Sequence, residues 1–268
     1  MSQNIALITG ASRGLGKNAA LALAKAGVDL IITYHSKADE AAAVVAEAQW
    51  LGRKAVAIQL DTGNVSSFAD FSAQLTTHLQ QVWQRDQFNF LVNNAGFGAQ
   101  AALADTTEQQ FDALMNVHFK GVFFLTQTLL PQLADGGRIL NLSSGLTRFA
   151  FPGYGAYAAM KGAVEVLSRY LALESGARGI RVNTLAPGAI ETDFGGGTVR
   201  DILLDRRPLF WVQHAGWVWV LLALCVGGRI DKRRHYVQHA GHLWEIDEFL
   251  GDNAGLVVAE IELGSVDE

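Results

Sequence analysis

Tyr157 and Lys161 stand four residues apart in the run Tyr157-Ala-Ala-Met-Lys161, which places both on one face of a helix. Met160, Val164, Leu167 and Leu171, at spacings of three and four, give that helix a separate buried stripe. A phenol with a pKa of about 10 is a poor proton donor or acceptor at neutral pH. A neighbouring ammonium favours the phenolate and lowers that value, which suits proton transfer to or from a carbonyl oxygen. Ser144 closes a strand-like run thirteen residues before Tyr157, and its hydroxyl is suited to hydrogen-bond the same oxygen where charge changes. Taken alone, a Tyr–Lys pair also describes an ordinary exposed helix surface.

A second run carries different chemistry. Thr9-Gly10-Ala-Ser12-Arg13-Gly14-Leu15-Gly16 follows the first strand-like segment and opens the first helix-like one. Glycines there permit a tight turn and let backbone N–H groups approach a pyrophosphate at the helix N-terminus. Gly10, Ser12, Arg13, Gly14, Leu15 and Gly16 are therefore the candidate dinucleotide contacts. About twenty residues on, a carboxylate would bond the ribose of NAD(H). The chain instead reads Thr33-Tyr34-His35-Ser36-Lys37, with no acidic residue before Asp39. Arg13, His35 and Lys37 offer positive partners to a 2′-phosphate, so NADP(H) is the expected cofactor and NAD(H) the second choice.

The elements that must position these residues follow a regular alternation up to about residue 200. Strands are expected at 4–9, 29–34, 54–60, 88–92, 137–142 and 179–185, and helices near 14–26, 37–51, 66–84, 107–133 and 155–177. Strands with little polar alternation, separated by helices, predict a parallel sheet covered on both faces. Right-handed crossovers then give an α/β, Rossmann-like doubly wound sheet with ligands at the carboxyl ends of its strands.

Composition narrows the field further. The chain has 268 residues, 28 glycines, half its residues hydrophobic and a net charge of -5, with 21 Lys+Arg against 26 Asp+Glu. That is ample for one buried core and too apolar for a disordered chain. Without a basic footprint, a nucleic-acid partner is not expected. Cys225 is the single cysteine, which excludes an intrachain disulfide and a cysteine zinc cluster. The opening run MSQNIALITG leads straight into a strand pattern without a secretory signal, so the expected location is cytoplasmic.

Several further motifs stand in a fixed order: TGASRGLG, Asn93-Asn94-Ala95-Gly96 after the fourth strand, Asn116, Ser144, Tyr157-Ala-Ala-Met-Lys161 and Pro187-Gly188. As a set they resemble the short-chain dehydrogenase/reductase family over about residues 3–200. The resemblance implies an NAD(P)-dependent Rossmann fold that reduces a carbonyl or oxidises an alcohol, with a small-molecule substrate. It implies that Tyr157 is the general acid/base, that Ser144 orients the substrate oxygen, and that Asn116 supports a water-linked proton relay. It also implies that Lys161 lowers the tyrosine pKa and holds the nicotinamide ribose. Asn93, Ala95 and Gly96 would flank the cofactor, Asp61 would sit by the adenine, and Pro187, Gly188, Ile190 and Thr192 would line the nicotinamide end. Family members often pair through the helices flanking Ser144 and Tyr157, so a homodimer is the expected assembly. No metal site is expected; His235, His239 and His242 read as surface histidines.

The rhythm breaks after residue 200. Residues 201–228 form an apolar connecting segment, within which 208–228 carry no charged side chain. Gln213, His214 and internal glycines argue for a buried helix there rather than a membrane span. Residues 229–268 resemble a C-terminal fragment of the CYTH, or triphosphate tunnel, family, through Lys232-Arg-Arg-His-Tyr236, Trp244-Glu-Ile-Asp247 and Gly255-Leu-Val-Val-Ala-Glu-Ile-Glu262. That family's N-terminal Glu-x-Glu-x-Lys strand is absent, and so short a segment cannot close a tunnel. Residues 255–263 are strand-like and are offered as an edge strand of the first sheet. The alternatives to an active oxidoreductase are a chimeric chain that binds nucleotide without turnover, and a triphosphate hydrolase fragment.

Overall fold

A computed structural model describes residues 3–187, 231–239, 242–250 and 257–261. The chain divides into two compact units, Met1–Trp219 and Val220–Glu268. In the first, six strands form one parallel sheet in the order β3-β2-β1-β4-β5-β6. These are β1 (Ile5–Ile8), β2 (Asp29–Tyr34), β3 (Ala55–Gln59), β4 (Phe88–Asn93), β5 (Leu133–Leu142) and β6 (Arg181–Leu185). The helices are α1 (Gly14–Lys25), α2 (Ala38–Trp50), α3 (Phe68–His78), α4 (Glu108–Met115), α5 (Gly121–Leu129) and α6 (Gly155–Glu174). The expected α/β doubly wound class is the observed one.

Continuous apolar strands explain the sheet's position. All four residues of β1 are fully buried, as are Leu30, Ile31 and Ile32 of β2, so at these central strands neither sheet face meets water. Phe68, Phe71, Leu75 and Leu79 lay one helix stripe against Ile58, Leu91 and Phe88, and Leu125 and Leu129 of α5 join the same core. Burying a side chain of this size contributes roughly 1.5–3 kcal/mol.

Two elements differ from the sequence expectation. The helix expected over 107–133 is broken: α4 starts on a Thr107/Gln110 capping box, residues 116–120 make a π turn, and α5 ends before Pro131, which cannot donate to a continuing helix. β5 starts at Leu133, four residues earlier than expected, because Leu133 pairs with Phe88 before a register shift brings Arg138 opposite Phe90.

In the second unit, β7 (Asp231–His239), β8 (His242–Leu250) and β9 (Val257–Ile261) form an antiparallel three-stranded sheet in that order. This corrects the edge-strand expectation for 255–263: β9 hydrogen-bonds to β8, pairing Glu245 with Glu260 and Trp244 with Ile261, and belongs to this separate sheet. The segment 208–228, with the rest of 188–230, lies outside the described residues. No helix among the described residues is long and apolar enough to cross a membrane.

Candidate active site

The carboxyl end of β5 and the first turns of α6 bring three of the expected residues together. Ser144 follows β5 in extended conformation and opens a short turn, Gly145–Thr147, whose Leu146 N–H donates to Ser144 Oγ at 3.2 Å. The backbone there is held to the chain after β6, because Gly145 N–H donates to the Pro187 carbonyl at 2.9 Å. Tyr157 lies in the first turn of α6, where the Ser144 side chain acts on its phenol. One turn on, Lys161 is only 5% exposed; its Nζ donates to the Leu142 carbonyl at 2.7 Å and stands 5.7 Å from the Tyr157 ring centroid.

Burial governs the proton affinities. It pushes the Tyr157 phenol above its ordinary value, with the Ser144 hydrogen bond pulling the other way and Tyr154 adding to the rise. It also pushes Lys161 down to about 8. The lowering of Tyr157 expected from Lys161 is therefore not the net effect. Desolvation disfavours both charged forms, and the ammonium is committed to a backbone carbonyl on β5.

The glycine loop lies across the ends of β1 and β4. Gly10 has φ +64°, and a Cβ on it would stand 2.8 Å from Ala95 Cα. A Cβ on Gly16 would fall 2.5 Å from the Gly10 carbonyl oxygen and 2.9 Å from Ala11 Cα. Gly10 N–H donates to Thr33 Oγ1 at 3.2 Å and Ala11 N–H to the Thr33 carbonyl at 2.9 Å, which ties the loop to β2. α1 begins at Gly14 with exposed Arg13 as its N-cap, and no side chain caps it. First-turn N–H groups without a side-chain acceptor, in a cradle that side chains would fill, fit the pyrophosphate of a dinucleotide. Ser12 and Leu15, both half-buried, border the same turn.

At the ends of β2 and β3, His35 Nε2 stands 3.9 Å from Asp61 Oδ2, so two residues reached by separate lines of reasoning are neighbours. Asp61 is oriented by the Gly63 N–H, which donates to its Oδ1 at 2.8 Å. Asn93, expected beside the cofactor, turns its side chain inward instead. Its Nδ2 donates to Thr126 Oγ1 at 3.0 Å and to Asn141 Oδ1 at 2.8 Å, and Asn141 Nδ2 donates to Ser168 Oγ at 2.8 Å. The loop is held by Asn94, which sequence reasoning did not single out: its Nδ2 donates to the Thr9 and Gly10 carbonyls at 2.9 and 3.1 Å. Asn94 and Ala95 N–H groups both donate to Thr9 Oγ1 at 3.0 Å.

Asn116 begins the π turn and faces the loop after β3, where a Cβ on Gly63 would lie 4.0 Å from its own Cβ. The residue from that turn that meets Tyr157 is His118, which sequence reasoning also passed over. Its signal was a polar residue inside an apolar helix stripe, His118, Val122, Leu125 and Leu129, all buried. Pro187 is placed beside Gly145, whereas Gly188, Ile190 and Thr192 lie outside the described residues.

Residues 4–202 match the short chain dehydrogenase family. The chain is 34% identical to the hydroxynaphthalene reductase-like protein Arp2 of Metarhizium brunneum over 190-odd aligned positions (194), covering 72% of this chain and 70% of that protein. Among solved structures, it is 33% identical to the angucycline C-6 ketoreductase LanV with bound NADP, with a TM-score of 0.77 over 83% of this chain and 88% of that one. A short chain dehydrogenase from Burkholderia cenocepacia in complex with NADP is 36% identical, with a TM-score of 0.75 over 85% and 92% of the two chains. The chain belongs to the short-chain dehydrogenase family and is an oxidoreductase of that class.

Proposed function

We propose that this chain is an NADP(H)-dependent ketoreductase in which Tyr157 is the general acid/base. The observation that carries the reading is that Ser144 acts on the Tyr157 phenol, with the buried Lys161 one turn along the same helix and its Nζ 5.7 Å from the phenol ring centroid. Ser144 orients the carbonyl oxygen, and Tyr157 gives that oxygen its phenolic proton. The phenol's raised pKa keeps the proton in place at neutral pH, as a reductase in the reducing direction needs. NADPH, when bound, supplies the hydride. Ser12, Gly14, Leu15 and Gly16 hold its pyrophosphate on backbone N–H groups in the turn that Gly10 permits, with Ala95 and Gly96 alongside, while Asp61 borders the adenine. Arg13 and His35 meet the 2′-phosphate; NADH, lacking that group, is the weaker partner. Lys161 holds the nicotinamide ribose, Asn116 supports the proton relay, and Pro187, Gly188, Ile190 and Thr192 close the nicotinamide end.

The substrate class is an aromatic polycyclic ketone. Support comes from the hydroxynaphthalene and angucycline names of the relatives and from the aromatic groups beside Tyr157, where His118 stands 5.1 Å from it and Phe97 5.3 Å from His118. A cytoplasmic homodimer is part of this reading. A groove of about 590 Å³ on α5 and α6, lined by Phe119, Phe123, Val166, Leu167 and Tyr170, supports pairing through that face. The tail 229–268 reads as a fused fragment resembling the triphosphate tunnel family.

The test is oxidation of NADPH by the full chain with 2-tetralone, a bicyclic ketone, beside a thermal-shift titration with NADPH. Ketone-dependent oxidation and a saturable shift are the expected results. A second reading, nucleotide binding without turnover, is favoured by one observation: the family match stops at residue 202 of 268. A thermal shift without oxidation of NADPH by any ketone would select it.

A further inference from the structure

Glu165 stands one turn beyond Lys161 on α6, so Tyr157, Lys161 and Glu165 follow one another at intervals of four along one helix face. The reading above gives the first two a chemical task and the third none. A carboxylate on a helix finds a ready partner in a cation four residues on. Arg169 holds that position, and it lines one cavity of about 310 Å³ with Arg148 and the half-buried Glu165. Among the described residues Glu165 forms an ion pair with neither arginine. Its Oε1 instead accepts hydrogen bonds from two hydroxyls, Ser143 Oγ at 2.6 Å and Thr147 Oγ1 at 2.9 Å.

Those hydroxyls bracket Ser144. Ser143, 4% exposed, directly precedes it, and Thr147 ends the turn that Ser144 opens. Each hydroxyl has a second acceptor, and in each case the carboxylate is the better one. For Ser143 Oγ the other is the Lys161 carbonyl at 3.4 Å, too long for a good O–H···O bond. For Thr147 Oγ1 it is the Ser144 carbonyl at 2.9 Å, the same distance as Glu165. At equal distance a carboxylate holds a proton about twice as strongly as a neutral carbonyl. The turn is fixed to the sheet by backbone bonds: Ser143 N–H donates to the Leu185 carbonyl at 2.7 Å and Gly145 N–H to the Pro187 carbonyl at 2.9 Å. Glu165 is the α6 side chain that holds residues 143–147 from the other direction.

We propose that Glu165 is a positioning residue for Ser144, its carboxylate clamping the hydroxyls on either side so that Ser144 Oγ and the Tyr157 phenol reach one carbonyl oxygen. The inference rests on the reading of Ser144 and Tyr157 above. Tyr157 is carried by α6 and Ser144 by the chain leaving β5, so the spacing of the two groups is a spacing between two elements. A clamp anchored on the helix that carries Tyr157 sets that spacing. Orientation at a reacting centre has a large effect on rate, and a displacement of about 1 Å can lower it about 100-fold. Glu165 itself touches neither substrate nor cofactor in this reading, so its loss acts on the chemical step and leaves the hold on NADPH in place.

The full chain is assayed with NADPH and 2-tetralone as Glu165→Ala, Glu165→Gln, Ser144→Ala and the double variant Ser144→Ala with Glu165→Ala. Glu165→Ala is expected to lower kcat about 10-fold or more while KM for NADPH stays within about twofold. Glu165→Gln, whose amide oxygen still accepts, is expected to recover most of that loss. In the Ser144→Ala background the change to alanine at 165 is expected to cost less than about twofold, because the clamp has no hydroxyl left to position. Native kcat in Glu165→Ala, a glutamine variant no better than alanine, or an equal loss in both backgrounds overturns the proposal. Native turnover by Ser144→Ala overturns the reading of Ser144 instead. Amide hydrogen exchange decides without turnover and without a folded Glu165 variant. In a chain carrying Ser143→Ala and Thr147→Val, which removes both donors, the Gly145 and Leu146 amides are expected to exchange about 10-fold or more faster, with the α6 amides at native rates. Native exchange at those two amides, or an acceleration shared equally by α6, overturns the proposal.

Discussion

The imidazole of His118 stands edge-on to the phenol of Tyr157, with ring centroids 5.1 Å apart and planes at 82°. A residue of the π turn is thereby packed against the residue proposed to transfer the proton. The contact has a thermodynamic consequence. Burial, reinforced by Lys161, lowers His118 from the usual 6.5 to about 3, so the folded chain binds fewer protons than the unfolded chain between those values. Stability from this group is present above the unfolded value and is lost as pH falls through the window towards 3, by roughly 3–5 kcal/mol in full. The urea midpoint of the native chain should therefore fall more steeply between about pH 6.5 and pH 4 than that of His118→Leu. Parallel declines would show that the imidazole titrates normally.

Gly16→Ala tests the loop. The new Cβ would meet backbone atoms at 2.5 and 2.9 Å, which no side-chain rotation relieves. The expected outcome is a loss of about 1–3 kcal/mol in urea unfolding and an NADPH affinity lowered about tenfold or more. Native affinity in the variant would show that this turn does not meet the cofactor.

The chain Asn93–Asn141–Ser168 links β4, β5 and α6 beneath the site through bonds of 2.8 Å. Asn141 is fully buried, so Asn141→Leu removes one acceptor of the Asn93 amide and the donor to Ser168 Oγ, leaving each with a single remaining bond, to Thr126 and to the Val164 carbonyl. A cost of about 2–4 kcal/mol follows, read as a shift in the urea midpoint. A variant as stable as the native chain would mean that the network is not holding the two strands to α6.

Arg13→Ala addresses the cofactor. The exposed N-cap side chain makes no capping bond, which leaves its charge free for the 2′-phosphate. Loss of that charge should weaken NADPH about tenfold or more and NADH by no more than about twofold, measured by fluorescence titration with each. Equal losses on both would remove Arg13 from the phosphate site.

The parts of this architecture legible in the sequence are those where burial is two-sided. Ile5–Ile8 and Asp29–Tyr34 read as strands because no polar alternation interrupts them, and they pair as expected. The break inside 107–133 was hidden because His118, Val122, Leu125 and Leu129 keep helical spacing straight through the π turn; only Pro131 announces the end. The opposite roles of Asn93 and Asn94 were invisible for a different reason. Neighbours at a strand end face opposite ways, and which one faces inward depends on the strand alongside, here through the pairing of Asn93 with Asn141. Helical spacing gave the Tyr157–Lys161 pair, but not the Leu142 carbonyl that engages the ammonium or the desolvation that raises the phenol.

The central claim is that Tyr157 transfers the proton, and Tyr157→Phe tests it most directly when turnover and cofactor binding are measured on the same preparation. The phenol oxygen is removed while the ring packed against His118 is kept. The account predicts ketone-dependent NADPH oxidation reduced about 100-fold or more, with the NADPH thermal shift nearly unchanged. Turnover at the native rate would contradict it, whatever the cofactor does.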